Sequence, residues 1–166
     1  MIQTKPNLFV GLVAAFSLSA YASPAADTSV QAAATAQPDV VVQTEPLHKT
    51  ANLSYKVAGK RYQPTKKIEQ FSQTGKASWY GPGFHGKKTS SGERFDMNTL
   101  SAAHRTLPIP SYARVTNLSN GKSVVVRIND RGPFHGNRVL DLSRAAAQEL
   151  GTLNAGVAQV QIRALH

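Results

Sequence analysis

No cysteine occurs in this 166-residue chain. That excludes disulfide staples, thiolate metal sites and a thiol nucleophile, and leaves core packing to stabilise the fold. Acids are scarce as well, with 9 Asp and Glu against 19 Lys and Arg, a formal net charge of +10. No HExxH motif and no close carboxylate–His spacing is present, so neither a metal nor a cofactor is expected. A phosphate-cradling Gly-rich motif is missing, and no serine sits in a G-x-S-x-G elbow, so a serine hydrolase has little support. Aromatics make up only 7% of residues, with a single Trp. They form no ladder interleaved with basic residues, and nucleic acid is not an expected partner despite the charge. The basic surface suits a polyanion such as a cell-wall polymer or anionic lipid.

Long apolar runs are also lacking. Residues 8–20 are apolar but too short to span a bilayer comfortably. They follow Lys5 and precede Ala20-Tyr21-Ala22, an A-x-A cleavage pattern, so 1–22 reads as a secretory signal. Export through Sec to the periplasm or cell envelope is expected. Tyr21 stands where a lipoprotein signal would place its Cys, so lipidation is not. Residues 23–47, rich in Ala, Val, Thr, Gln and Pro, read as a flexible linker. Residues 48–74 are basic, and Tyr55-Lys56-Val57-Ala58-Gly59-Lys60-Arg61-Tyr62 alternates around a Gly. Both an arm or hairpin on the domain and a solvated linker fit that pattern.

From Gly75 the texture changes to that of a compact domain over 75–166. Strands are expected over 76–80, 112–118, 122–130, 139–142 and 157–164, with Ser119-Asn120-Gly121 as a hairpin turn. Short helices are expected over 98–105 and over 143–150, the second capped by Ser143 and closed by Gly151. Short strands with two short helices point to a mainly β, small barrel. In the strand ending at Asp130 the period of two puts Val124, Val126, Ile128 and Asp130 on one face, with Arg127 and Arg131 on the other.

This segment holds five carboxylates, Glu93, Asp96, Asp130, Asp141 and Glu149. Asp96 reads as a cap, Asp141 as support for the helix start and Glu149 as a solvated helix residue. Asp130 ends a Val-rich strand against Arg131-Gly132-Pro133, and Glu93 lies in a loop with no cap to serve. These two stand out as functional, with ion pairs to Arg131 and Arg94 as the plain alternative. His104 taken alone reads as structural.

Gly75-Lys76-Ala77-Ser78-Trp79-Tyr80-Gly81, Phe84-His85-Gly86, Thr89-Ser90-Ser91-Gly92-Glu93, Ala102-Ala103-His104 and Thr106-Leu107-Pro108 resemble the RlpA family, the rare lipoprotein A septal-ring lytic transglycosylases. So do Val115-Thr116-Asn117-Leu118, Asn129-Asp130-Arg131-Gly132-Pro133-Phe134-His135 and Asp141-Leu142-Ser143. The resemblance implies a six-stranded double-psi β-barrel that cleaves peptidoglycan glycan strands, preferring those stripped of stem peptides. It implies Asp130 as catalytic acid/base with Glu93 and His104 beside it. Tyr80, Phe84, His85, Ser91, Asn129, Arg131, Phe134 and His135 are the expected substrate-binding set. Members commonly carry a lipoprotein Cys and a glycan-binding SPOR domain; here the stretch ends at His166, and septal recruitment through SPOR is not expected.

A lytic transglycosylase can work with one acid, because the muramic acid 6-hydroxyl attacks C1 and closes a 1,6-anhydro ring. Asp130 is expected to act twice, with its pKa raised by the apolar barrel mouth and an adverse pull if Arg131 turns toward it. A monomer acting on glycan strands is expected, with cell-division or wall-remodelling proteins as further partners. The rival reading is a non-catalytic, expansin-like wall-binding or wall-loosening module, with Trp79, Tyr80, Phe84 and Phe134 as stacking surfaces. A structural partner of the division machinery, relying on the basic arm, is a third.

Overall fold

The Asn120-Gly121 corner sets the first piece of the barrel. Gly121 takes φ +73, the left-handed conformation such a turn needs. The flanking strands β5 (Ser111–Asn117) and β6 (Ser123–Asp130) pair antiparallel from Ser111↔Ile128 to Thr116↔Ser123. The computed structural model describes residues 42–66 and 68–165. The expected signal over 1–22 and most of the linker over 23–47 lie outside the described residues.

The other elements are β1 (Tyr55–Val57), β2 (Lys60–Tyr62), β3 (Ser72–Trp79), β4 (Ser101–His104), β7 (Arg138–Leu142), α1 (Arg144–Glu149) and β8 (Val157–Leu165). Six of the strands close a barrel in the order β3-β7-β4-β6-β5-β8. The pairs β3/β7 and β4/β6 are parallel and the other neighbours antiparallel. This is the mainly β, double-psi barrel class expected from the sequence. Its interior is filled by Val115, Val126, Ile128, Leu140, Leu142, Val160 and Ile162, all essentially inaccessible to solvent. Burying each such side chain contributes roughly 1.5–3 kcal/mol.

Two corrections bear on the site. Residues 101–104 are a strand, not part of a helix over 98–105. Ala102 and Ala103 favour helix in isolation, but β4 lies between β6 and β7 and all four of its residues are buried. A strand covered on both faces shows no alternation, and tertiary pairing overrides propensity. The helix expected over 98–105 is therefore not formed, and among the described residues the helical elements are α1 and a 3-10 turn at Pro82–Phe84. The first barrel strand also starts ahead of the 76–80 expected for it, since β3 runs from Ser72 and pairs Ser72 with Arg163.

The second correction concerns register. Between β4 and β6, Ala102 pairs with Ile128 but Ala103 pairs with Asp130, so Asn129 is an extra residue. A one-residue slip reverses which face a side chain takes. Ile128 stays in the core with Ala102, while Asp130 leaves the apolar face with Ala103. The other parallel pair carries the same device. Lys76 pairs with Arg138 and Ala77 with Leu140, leaving Val139 extra. Gly75 accommodates it: a Cβ there would stand 2.6 Å from Val139 Cγ1.

Ser143 caps α1 by accepting from the Ala146 N–H at 3.1 Å. Residues 55–62 form a hairpin whose Tyr55 and Tyr62 rings stack with centroids 5.3 Å apart, both against Phe134.

Candidate active site

The two bulges create a row across four neighbouring strands. Ser78 of β3 pairs with Asp141 of β7, Asp141 with Ala103 of β4, and Ala103 with Asp130 of β6. All four line one cleft of about 440 Å³, with Trp79, Tyr80, Phe84, Phe134, His135 and Arg138 among its walls. Two strand spacings separate Asp130 from Asp141, about 9–10 Å at the backbone. The small Ala103 is the floor between them.

Asp130 is held by a loop shaped for the purpose. Residues 86–95 fold back on themselves through Gly86 N–H to Phe95 O and Thr89 N–H to Glu93 O, both 2.8 Å. Gly92 takes φ +84 at the turn. Ser90 at the tip donates to Asp130 Oδ1 from its N–H at 2.8 Å and its hydroxyl at 2.7 Å. The Arg131 N–H adds a third donor at 2.8 Å. Oδ2 has no partner among the described residues. One carboxylate oxygen is pinned and the other is open.

Asp141 is built alike, and it does not support the helix start as expected; Ser143 does that alone. Its Oδ1 accepts from the Ser78 hydroxyl at 2.7 Å and from Arg138 Nε at 3.1 Å, and its Oδ2 has no partner among the described residues. Tyr80 lies within electrostatic reach of both acids. Burial, then the Asp130 and Asp141 charges, push its phenol well up, so it stays a neutral hydroxyl. That hydroxyl is buried near the Ser101 hydroxyl, and neither has a well-formed hydrogen bond among the described residues.

Glu93 sits differently. Its carboxylate takes two bonds of 2.8 Å from Arg127 and one of 3.3 Å from Asn129 Nδ2. The Arg127 bonds hold it below the usual carboxylate range, against an opposing contribution from burial. Arg127 also bonds Glu45 of the preceding segment, through Nε and Nη2 at 2.7 Å each. Both oxygens of Glu93 are bonded, and its ion-pair partner is Arg127, not the adjacent Arg94, which donates to Gly86 O.

His104 is 2% exposed and lies outside the cleft wall. Its Nδ1 accepts from the Thr106 and Leu107 N–H groups, and its Nε2 bonds Gln73 Oε1 at 2.8 Å. Burial, reinforced by Arg105 and Arg131, drives its pKa down to about 3, so the ring is neutral. The Arg131 guanidinium forms no ion pair with Asp130 among the described residues. It donates to Ala51 O, Asn52 Oδ1, His104 O and Leu107 O, and lies 5.9 Å from the Tyr55 ring centroid. It ties the arm to the loop after β4.

A family model described as "Lytic transglycolase" matches residues 72–162, which takes in five of the barrel strands whole, β8 as far as Ile162, and both acids. The protein named "Endolytic peptidoglycan transglycosylase RlpA" of Neisseria meningitidis serogroup A / serotype 4A is 57% identical over 162 residues, covering 98% of this chain and 62% of its own length. The chain belongs to the RlpA family. The like-named protein of Neisseria meningitidis serogroup B is 66% identical over 128 residues, 77% of this chain and 54% of its own. That of Vibrio cholerae serotype O1 is 53% identical over 127 residues, 76% of this chain and 48% of its own. This RlpA-family chain thus spans about half to three-fifths of the length of these curated relatives.

Of the residues singled out in the RlpA motifs, the structure brings Asp130, Tyr80, Phe84, Arg131, Phe134 and His135 to one cleft. Glu93, His104, His85, Ser91 and Asn129 lie outside its wall. His85 is exposed, with Nδ1 accepting from the Met97 N–H; Ser91 bonds Thr89 at 2.8 Å; Asn129 is buried against Glu93. Sequence reasoning missed Ser90, Ser78, Arg138 and Asp141. Ser90 and Ser91 cannot be separated by spacing. Asp141 carried a usable signal, as an acid alternating with the core residues Leu140 and Leu142.

Proposed function

We propose that this chain is an endolytic peptidoglycan lytic transglycosylase, cleaving between MurNAc and GlcNAc to leave 1,6-anhydroMurNAc ends. The observation that carries the reading is Asp130: one oxygen fixed by three donors, the other open to an aromatic-walled cleft of an RlpA-family barrel. Protonated Asp130 gives its proton to the glycosidic oxygen as the C1–O bond breaks. The muramic acid 6-hydroxyl attacks C1, and its proton returns to the carboxylate, so the acid is restored and no water is consumed. Ser90 orients the carboxylate. Glu93, held ionised by Arg127, anchors the loop that carries Ser90 and donates no proton. Neutral His104 braces the Asp130 loop through its carbonyl and Arg131. Trp79, Tyr80, Phe84 and Phe134 supply apolar surface for sugar faces. Strands without stem peptides are the preferred substrate, and the site of action is the periplasm or envelope, reached through the leader at 1–22.

Mass spectrometry of purified glycan strands, with and without stem peptides, tests this. Anhydro ends released faster from stripped strands are expected. Reducing ends mean a hydrolase, and binding without products means a wall-binding module of the expansin type.

A further inference from the structure

The cleft contains a second half-satisfied acid that the single-acid scheme does not use. Asp130 and Asp141 each follow a single-residue bulge in a parallel strand pair, Asp130 directly after Asn129 and Asp141 two residues after Val139. Bulges of this kind re-aim side chains beside active sites. Both acids have Oδ1 pinned by a serine hydroxyl at 2.7 Å and by N–H donors, the Ser90 and Arg131 backbone in one case and Arg138 Nε in the other. Both leave Oδ2 without a partner among the described residues. Asp141 is only 16% exposed at its side chain, yet it borders the cleft. A carboxylate serving only to bind Arg138 gains nothing from sitting in register with Asp130 across the small side chain of Ala103. The separation of about 9–10 Å at the backbone leaves room over Ala103 for one sugar ring.

We propose that Asp141 is a second catalytic residue: its open oxygen accepts a hydrogen bond from a ring hydroxyl or amide N–H of the sugar seated over Ala103, opposite Asp130. This rests on the glycan-cleaving reading above. Such a bond strengthens as positive charge develops at the anomeric carbon, and it belongs to the transition state more than to ground-state binding. Ser78 and Arg138 are positioning residues that hold Asp141 at its angle. Asp141 transfers no proton in the scheme, and the balance of atoms through Asp130 is unchanged.

The test is turnover of stripped glycan strands by wild type, Asp141→Asn and Ser78→Ala, with melting temperature recorded for each. Asp141→Asn keeps the shape and removes the charge. We expect kcat to fall about 100-fold with KM within about threefold of wild type. Ser78→Ala leaves Arg138 in place and lowers kcat about tenfold, again with KM little changed. The Ser78 variant decides the matter if Asp141→Asn does not fold. Wild-type turnover in either folded variant overturns the role of Asp141 while leaving the transglycosylase reading intact. A wild-type protein that yields no anhydro ends overturns both.

Discussion

Two carboxylate settings lie on either side of Asn129, and they are built on opposite principles. Toward the arm, Glu93 and Glu45 share Arg127, and bonds of 2.7–2.8 Å engage both oxygens of each acid. Toward the cleft, Asp130 and Asp141 each have one oxygen fixed and one open. A carboxylate with both oxygens ion-paired holds its segments in place, while one with an oxygen left open in a walled cleft has bonding capacity for a substrate. The contrast separates scaffold from chemistry more sharply than the count of five acids in the domain does.

The strongest way to break that contrast is Asp130→Asn. Release of anhydro products is expected to drop about 1000-fold or more, with an unchanged melting temperature. Product release near the wild-type rate would place the chemistry elsewhere. Ser90→Ala comes next. It removes one of three donors on Oδ1 and the acceptor for the Arg131 N–H, and kcat should fall roughly tenfold through misorientation alone, with KM steady. An effect as large as that of Asp130→Asn would mean Ser90 contacts the glycan itself.

Arg127→Gln attacks the scaffold side. It leaves two carboxylates without their shared cation, and urea titration should show a stability loss of about 1 kcal/mol, kept small by partial exposure. Turnover should fall less than in Ser90→Ala; a larger fall would make the Glu93 cluster part of the chemistry.

The smallest expected effect is in acid. Glu45 and Glu93 titrate below their ordinary 4.5 because of the Arg127 bonds. Their contribution is fully present above about 4.5 and disappears as pH falls through the lowered values, since the unfolded chain then binds more protons. The double variant Glu45→Gln, Glu93→Gln should therefore show a shallower loss of melting temperature below pH 4.5 than wild type. Parallel acid limbs would show that the cluster contributes nothing to stability.

Much of this was legible along the chain. The Asn120-Gly121 turn, the Val-rich strand to Asp130 and the Ser143 cap rest on local rules that the structure obeys. The strand at 101–104 was not, because Ala-Ala between a Ser and a His carries no periodic signal once both faces are covered. Nor was Ser90 distinguishable from Ser91, since only the fold of the 86–95 loop decides which hydroxyl meets Asp130.

By itself the sequence determined the family, the barrel class and Asp130 as the acid worth watching, because motif, turn chemistry and hydrophobic alternation are written residue by residue. Tertiary structure alone decided which groups Asp130 keeps company with. A period of two places Asp130 on the core face, but the extra Asn129 moves it to the cleft, and the extra Val139 brings Asp141 to the same row. A bulge is a property of two paired strands, so neither strand's own sequence can reveal it.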